Sequence, residues 1–374
     1  MQPLAMRIWC ASALALMQLA AGAPGLAADD RPPRRLIEFG WDEPDTAFLR
    51  QHLAEMERTP FDGCVFHANS RDADGKSGNF AWSCWGRRAF TEADLQGALD
   101  DLRALRPQRF THNFLRFNTT PADLDWFDDF APVLANARLA ARLAREGKAR
   151  GLLCDTEQYE GKLFSYRQRR HASTKSWDDY AAQARLRGRE VMAAFQEEYP
   201  DLTVLLTFGY TLPWKQSKGG EKPLADAEDG LLAPFLDGLI DAARGQTRVV
   251  DGHELSYGTR DPSKFRASYH TIKEGVLPIV ADRDKYARVV SAGFGLWMDY
   301  DWRKHGWDLD DPHTNYFTPE TFEASVKEAL DVADEYVWIY TETPRWWSAT
   351  GGPVKLPEAY AAALRKARQA HRGD

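Results

Sequence analysis

GLLCDTEQYEGKLF runs from Gly151 to Phe164. It opens as a short apolar run and ends on two acids, Asp155 and Glu157. An apolar run of this length, bounded by polar residues, reads as a buried strand. Side chains alternate along a strand, so Asp155 and Glu157 point one way while Cys154 and Thr156 point the other.

Seven more runs share this character: LIEFGW (36–41), GCVFHA (63–68), RFTHNFLRF (109–117), TVLLTFGY (203–210), RVVDGHELSY (248–257), SAGFGLWMDY (291–300) and YVWIYTE (336–342). All are short and rich in β-branched and aromatic residues, and polar loops follow them. Longer segments with helical starts separate them. Thr91-Glu92-Ala93-Asp94 and Ser176-Trp177-Asp178-Asp179 are capping-box patterns. Thr318-Pro319 sets a cap before a proline at the first helical position. Phe322, Val326 and Leu330 then recur every four residues on one face, and a last helix is expected around 356–371. Eight strands, each followed by a helix, predict a single-domain (β/α)8 TIM barrel, of α/β class, over residues 35–374. An open doubly wound sheet would want a glycine-rich phosphate turn after the first strand, and WDEPDTAF (41–48) has none.

The chain has 374 residues, 44% of them hydrophobic, enough for a large core, with a formal net charge of −7. Mild acidity gives no basic patch for nucleic acid. Residues 1–28 have one positive charge at Arg7, an apolar run and a small-residue end at Ala27-Ala28. That is the layout of a secretory signal peptide, which predicts a secreted or periplasmic protein with no membrane contact after cleavage. Beyond Cys10, three cysteines remain: Cys64, Cys84 and Cys154. An odd number argues against a disulfide scaffold. Cys64 and Cys154 read as small core residues, and a disulfide at Cys84 stays open.

In a barrel the reactive groups come from the C-terminal ends of the strands. Asp155 and Glu157 therefore face the barrel mouth. Two close carboxylates cannot both ionise freely, so one keeps its proton to higher pH, as protonation of a leaving-group oxygen requires. A rim salt bridge with an arginine is the competing, structural role for the same pair. Hydrolysis of a glycosidic bond needs a second carboxylate roughly 5–9 Å away. Glu254, Asp299 and Glu342 qualify by position, in that order. Trp41, Trp214, Trp297 and Trp346 belong to a set of tryptophans at strand ends and in the following loops, and an exposed indole suits the C–H face of a sugar. His67, Asn113, Arg116, Tyr210 and Tyr257 complete the expected sugar-binding set, with Glu342 as a binding group if it is not catalytic. His67, His112 and His253 leave a metal-assisted hydrolase open, but no H-x-H on the first strand or H-E-x-x-H helix is present, so no metal and no cofactor are expected.

The pair Asp155-Thr156-Glu157 at the end of the fourth strand resembles the (β/α)8 glycoside hydrolases, among which chitinase-type and lysozyme-type barrels carry D-x-E at this point and a tyrosine on a later strand. The resemblance implies that Glu157 is the proton donor, Asp155 its partner and Tyr257 the tyrosine. The longer D-G-x-D-x-D-x-E run of chitinases is missing, since Leu152, Leu153 and Cys154 precede Asp155. The expected activity is carbohydrate hydrolysis by paired carboxylates. The alternatives are the metal-assisted hydrolase and a glycan-binding barrel without turnover. The oligomeric state is not written in the sequence.

Overall fold

The computed structural model describes residues 33–372, apart from 160, 350, 352 and 353. The leader read from residues 1–28 lies outside them. Eight parallel strands form the centre: β1 (Arg35–Gly40), β2 (Gly63–Phe66), β3 (Phe114–Asn118), β4 (Gly151–Asp155), β5 (Thr203–Leu206), β6 (Arg248–Asp251), β7 (Val290–Ala292 and Phe294–Trp297) and β8 (Tyr336–Thr341). Each pairs with the next in chain order, and β8 pairs with β1 along its length, from Arg35↔Tyr336 to Gly40↔Thr341. The ring is completed inside β7. Its first half pairs with β6 and its second half with β8, and the change of partner falls at Gly293. A Cβ there would sit 2.9 Å from the Tyr336 carbonyl oxygen and 3.0 Å from Val250, so only glycine fits the crossover. The architecture is the (β/α)8 barrel, and the open doubly wound alternative is ruled out by the β8–β1 pairing.

Period two sorts the strand residues into two cores. Ile37, Phe39, Val65, Phe114, Leu153, Leu205, Val250, Tyr336 and Trp338 fill the lumen. Leu36, Cys64, Leu115, Leu152, Cys154, Val204 and Val249 belong to the larger core shared with the helices. Cys64, Cys84 and Cys154 are buried free thiols, so among the described residues Cys84 has no disulfide partner.

The helices start where local chemistry dictates. Ser176 and Asp179 form a reciprocal capping box at the start of Trp177–Glu198. Thr91 and Asp94 exchange the same bonds one turn before Gln96–Ala104. Thr318 caps Pro319–Val332, with Phe322, Val326 and Leu330 buried. The last helix is Glu358–Arg372. Among the described residues no helix is long and apolar enough to cross a membrane.

Several strands stop sooner than their apolar runs suggest. The segments 109–113, 207–210 and 252–257 leave the ladder, the last as a turn through Glu254–Ser256. The start of β3 at Phe114 moves two expected residues. Asn113 lies at the N-terminal face, where its side chain accepts from the Cys64 amide (3.0 Å) and donates to the Phe110 carbonyl (2.6 Å). His112 lies at the same end, 2.9 Å from the Tyr336 hydroxyl.

Candidate active site

The lumen rows continue past the hydrophobic layer and emerge at the C-terminal face as polar groups. On β8 the row reads Tyr336, Trp338, Tyr340, Glu342. On β4 it reads Leu153, Asp155, Glu157, and on β3 Phe114, Arg116, Asn118. These rows converge on a cavity of about 640 Å³ lined by Asp155, Glu157, Glu254, Glu342, Arg116 and Tyr257, among others.

Arg116 holds its centre. Its guanidinium donates to Glu43 Oε2 (2.9 Å), Asp155 Oδ2 (2.8 Å) and Asn118 Oδ1 (2.8 Å). It is sandwiched by the rings of Phe39 (5.1 Å) and Trp82 (5.0 Å). Burial works against its charge, but Glu43 and Asp155 outweigh that and hold it more firmly protonated than usual. Burial also pushes Glu43 up, and Arg116 and His67 more than offset it, so Glu43 ends below the usual carboxylate range. His67 Nδ1 lies 3.0 Å from Glu43 Oε1.

Asp155 is buried and fully engaged. Oδ1 accepts from the Glu157 amide (3.0 Å) and the Thr207 hydroxyl (3.1 Å), and Oδ2 accepts from Arg116 and the Tyr159 hydroxyl (3.3 Å). The rim salt bridge weighed against a chemical role therefore exists for Asp155, while among the described residues Glu157 makes no ion pair. Burial raises the Glu157 carboxyl first and the charge of Asp155 adds to it, while Tyr159 and Arg116 pull partly back. Glu254, reached through the turn after β6, is raised well above its ordinary value, first by burial and then by Glu157 and Asp155. Both carboxyls thus keep their protons to higher pH than a free glutamate.

Aromatic rings make the walls. Trp41 (53% exposed), Tyr159 (47%) and Trp82 (39%) stand at the mouth, with Tyr159 edge-on to Trp82 at 5.0 Å. Deeper, Tyr257 stacks on Tyr340 at 5.3 Å, and Trp297 packs edge-on against both. The Trp41 indole donates to the Tyr340 hydroxyl (2.7 Å). Glu342 Oε2 accepts from Trp302 (2.6 Å) and Arg303 (2.8 Å).

The cavity thus collects Trp41, His67, Arg116, Asp155, Glu157, Glu254, Tyr257, Trp297 and Glu342 from the expected set. Five lie elsewhere. Asp299 is buried behind the wall, where its oxygens accept from the Trp297 indole (2.7 Å) and the amides of Glu342 (3.0 Å) and Thr343 (2.8 Å). It shapes the end of β8 and does not face the cavity. Tyr210 turns into the helix layer once β5 ends at Leu206, and donates to Asp237 (2.8 Å). Trp214 borders a separate hollow of about 450 Å³ with Lys215 and His253. Trp346 is loop core, edge-on to Phe61 at 4.8 Å with its amide on Asp42. Asn113 is at the opposite face. His67, His112 and His253 are dispersed, and among the described residues no group of three or more His, Cys, Asp or Glu is arranged to hold a metal ion.

Trp82, one of the loop tryptophans, lines the cavity, and so do Thr207 and Arg303, which the sequence reading does not single out. Thr207 is two residues beyond Leu205, so extending the lumen row of β5 finds it. Trp82 and Arg303 sit in long loops, where no periodicity points anywhere.

The fold and the site together define a (β/α)8 barrel with carboxylates gathered at its C-terminal face. No family model matches the chain, and neither does any curated protein. Among solved structures it is similar to a GH5-4 broad specificity endoglucanase from an uncultured bacterium, at 14% identity over 88% of this chain and 86% of that one, with a TM-score of 0.48. It is also similar to a glycoside hydrolase family 5 enzyme from Prevotella bryantii in complex with a xyloglucan tetradecasaccharide, at 9% identity over 88% of each chain and a TM-score of 0.46. A putative sugar phosphate isomerase/epimerase from Anabaena variabilis matches at 10% identity over 90% and 98%, with a TM-score of 0.44. These are likenesses of fold, and the reading of the site rests on its own residues.

Proposed function

We propose that this protein hydrolyses a glycosidic bond in a poly- or oligosaccharide, using Glu157 and Glu254 as a proton-sharing pair. One observation carries the reading: two carboxylates, Glu157 raised by burial and by Asp155 and Glu254 raised by burial and by Glu157, share one aromatic-walled cavity. One protonated and one ionised carboxylate is the state that acid/base cleavage of a glycoside requires. Glu157 stands on the side of the exposed Tyr159 and Trp82, where a leaving sugar departs to solvent and water replaces the spent proton. It is assigned as general acid. Glu254, deeper in, is the nucleophile or the base that activates water. Asp155 and Arg116 hold Glu157 in place, and the ring walls support the sugar. The leader read from residues 1–28 would deliver the activity to polysaccharide outside the cytoplasm.

The charge of the lining narrows the substrate. Five carboxylates (Glu43, Asp155, Glu157, Glu254, Glu342) face two guanidinium groups. Arg116 is occupied by Glu43, Asp155 and Asn118, and Arg303 is paired with Glu342. A uronic-acid carboxylate would find like charge and no open cation. Neutral or amino sugars are the expected substrates. Reducing-end release from a panel of neutral, amino and uronic polysaccharides tests this. Release from a neutral or amino glycan, at least about tenfold faster than from any uronic one, is expected. Release confined to uronic glycans overturns the charge argument. Silence on the whole panel, with glycan binding intact, overturns the enzyme reading in favour of a binding barrel.

A further inference from the structure

The two carboxylates stand on loops beyond their strands. The β4–β5 ladder ends at Cys154↔Leu206 and the β5–β6 ladder ends at Leu206↔Asp251. Sheet hydrogen bonding therefore does not fix the distance between Glu157 and Glu254. Other bonds must, and they meet at the first residue after β5.

Thr207 bonds to both sides. Its hydroxyl donates to Asp155 Oδ1 (3.1 Å) and accepts from the Thr156 amide (3.0 Å). The same Asp155 oxygen accepts the Glu157 amide (3.0 Å). The Thr207 carbonyl accepts the Glu254 amide (3.0 Å). Thr156 and Phe208 add a second clasp, the Thr156 hydroxyl donating to the Phe208 carbonyl (3.0 Å). On the far side the chain is set by His253, whose left-handed backbone (φ 44°) is unusual for a residue with a side chain and is anchored by Asp251 on its amide (3.0 Å) and by Thr211 on its imidazole (3.1 Å). With that side fixed, the hydroxyl of Thr207 sets the position of the other.

We infer that Thr207 is a positioning residue that fixes the separation and orientation of Glu157 relative to Glu254. This rests on the proposed pair of carboxylates, but it concerns geometry and can be read without substrate. Thr207→Val keeps the shape and the carbonyl and removes only the hydroxyl. Thr207→Ser keeps the hydroxyl.

Two measurements are made on the full chain. The first is a carbon-13 NMR titration of the glutamate carboxyls, with Glu157→Gln and Glu254→Gln used for assignment. In Thr207→Val the titration midpoints of Glu157 and Glu254 are expected to move by more than about half a pH unit, and in Thr207→Ser to stay at the parental values. The second is kinetics on whichever glycan the parent cleaves. Thr207→Val is expected to lower kcat about ten- to hundredfold with KM changed less than about threefold, since a displaced carboxylate costs alignment and not binding. Thr207→Ser is expected to recover most of that loss. Parental midpoints and kcat in Thr207→Val overturn the inference. So does a Thr207→Val protein that fails to fold, because the hydroxyl would then serve the barrel and not the pair. A parent inactive on every glycan refutes the hydrolase reading and leaves the titration to decide this one.

Discussion

Glu157→Gln is expected to cut kcat/KM about 10²- to 10⁴-fold on an unactivated glycoside and by less than about tenfold on an aryl glycoside with a strongly acidic phenol. Gln fills the same volume and its backbone amide still reaches Asp155, so the substitution removes only the transferable proton. An acidic phenol leaves without protonation, which is why its cleavage survives the change. The leaving-group dependence thus separates a lost acid from a lost contact. Equal losses on both substrates would mean that Glu157 is not the donor. The same pair of substrates applied to Glu254→Gln would then show whether the donor is the deeper carboxylate. For Glu254→Gln the expected loss is large and independent of the leaving group's acidity if it acts as nucleophile or base.

Arg116→Met is expected to be the most damaging single change for the cavity as a whole. The guanidinium is 11% exposed and lies between Glu43 and Asp155, whose side chains are 8% and 1% exposed. Met keeps an unbranched apolar stem but removes the guanidinium with its contacts to Phe39 and Trp82, and leaves two buried carboxylates without their cation. Breaking a buried pair by removing one partner costs about 3–5 kcal/mol. For a barrel of this size that is a fall in Tm of roughly 5–10 °C. Activity should fall with it, because Asp155 would lose the charge that keeps it in place beneath Glu157. Adding Glu43→Gln to Arg116→Met should restore part of the Tm by deleting one of the stranded charges. A variant within about 2 °C of the parent would show that the three groups are solvated in solution and that Arg116 does not organise the cavity.

Most of the fold can be read from the chain because its punctuation is local. Each apolar run contains a strand, Ser176 and Thr318 cap where their hydroxyls predict, and Thr91 exchanges bonds with Asp94 one turn ahead of its helix. Strand ends were harder, since an apolar run does not show where the ladder stops. That single uncertainty misplaced Asn113, His112 and Tyr210. Alternation along β4 placed Asp155 and Glu157 correctly, because Leu153 below them is in the lumen and Cys154 beside them is in the helix layer. Asp299 and Trp346 satisfy the same positional rule as Glu254 and Trp41, and only their hydrogen bonds reveal that they support the wall. The partnership of Arg116 with Glu43 and Asp155 joins residues far apart in sequence, and nothing local to any of them announces it.

In the proposed mechanism Glu157 and Glu254 hold one proton between them. The most direct measurement is the carbon-13 titration of their carboxyls in the parent and in each Gln variant. At least one of them is expected to titrate above the ordinary glutamate range in the parent, and to fall when the other is replaced by Gln and its charge removed. Two midpoints in the ordinary range, each unchanged by replacing the other residue, would contradict the claim and leave the cavity as a binding site.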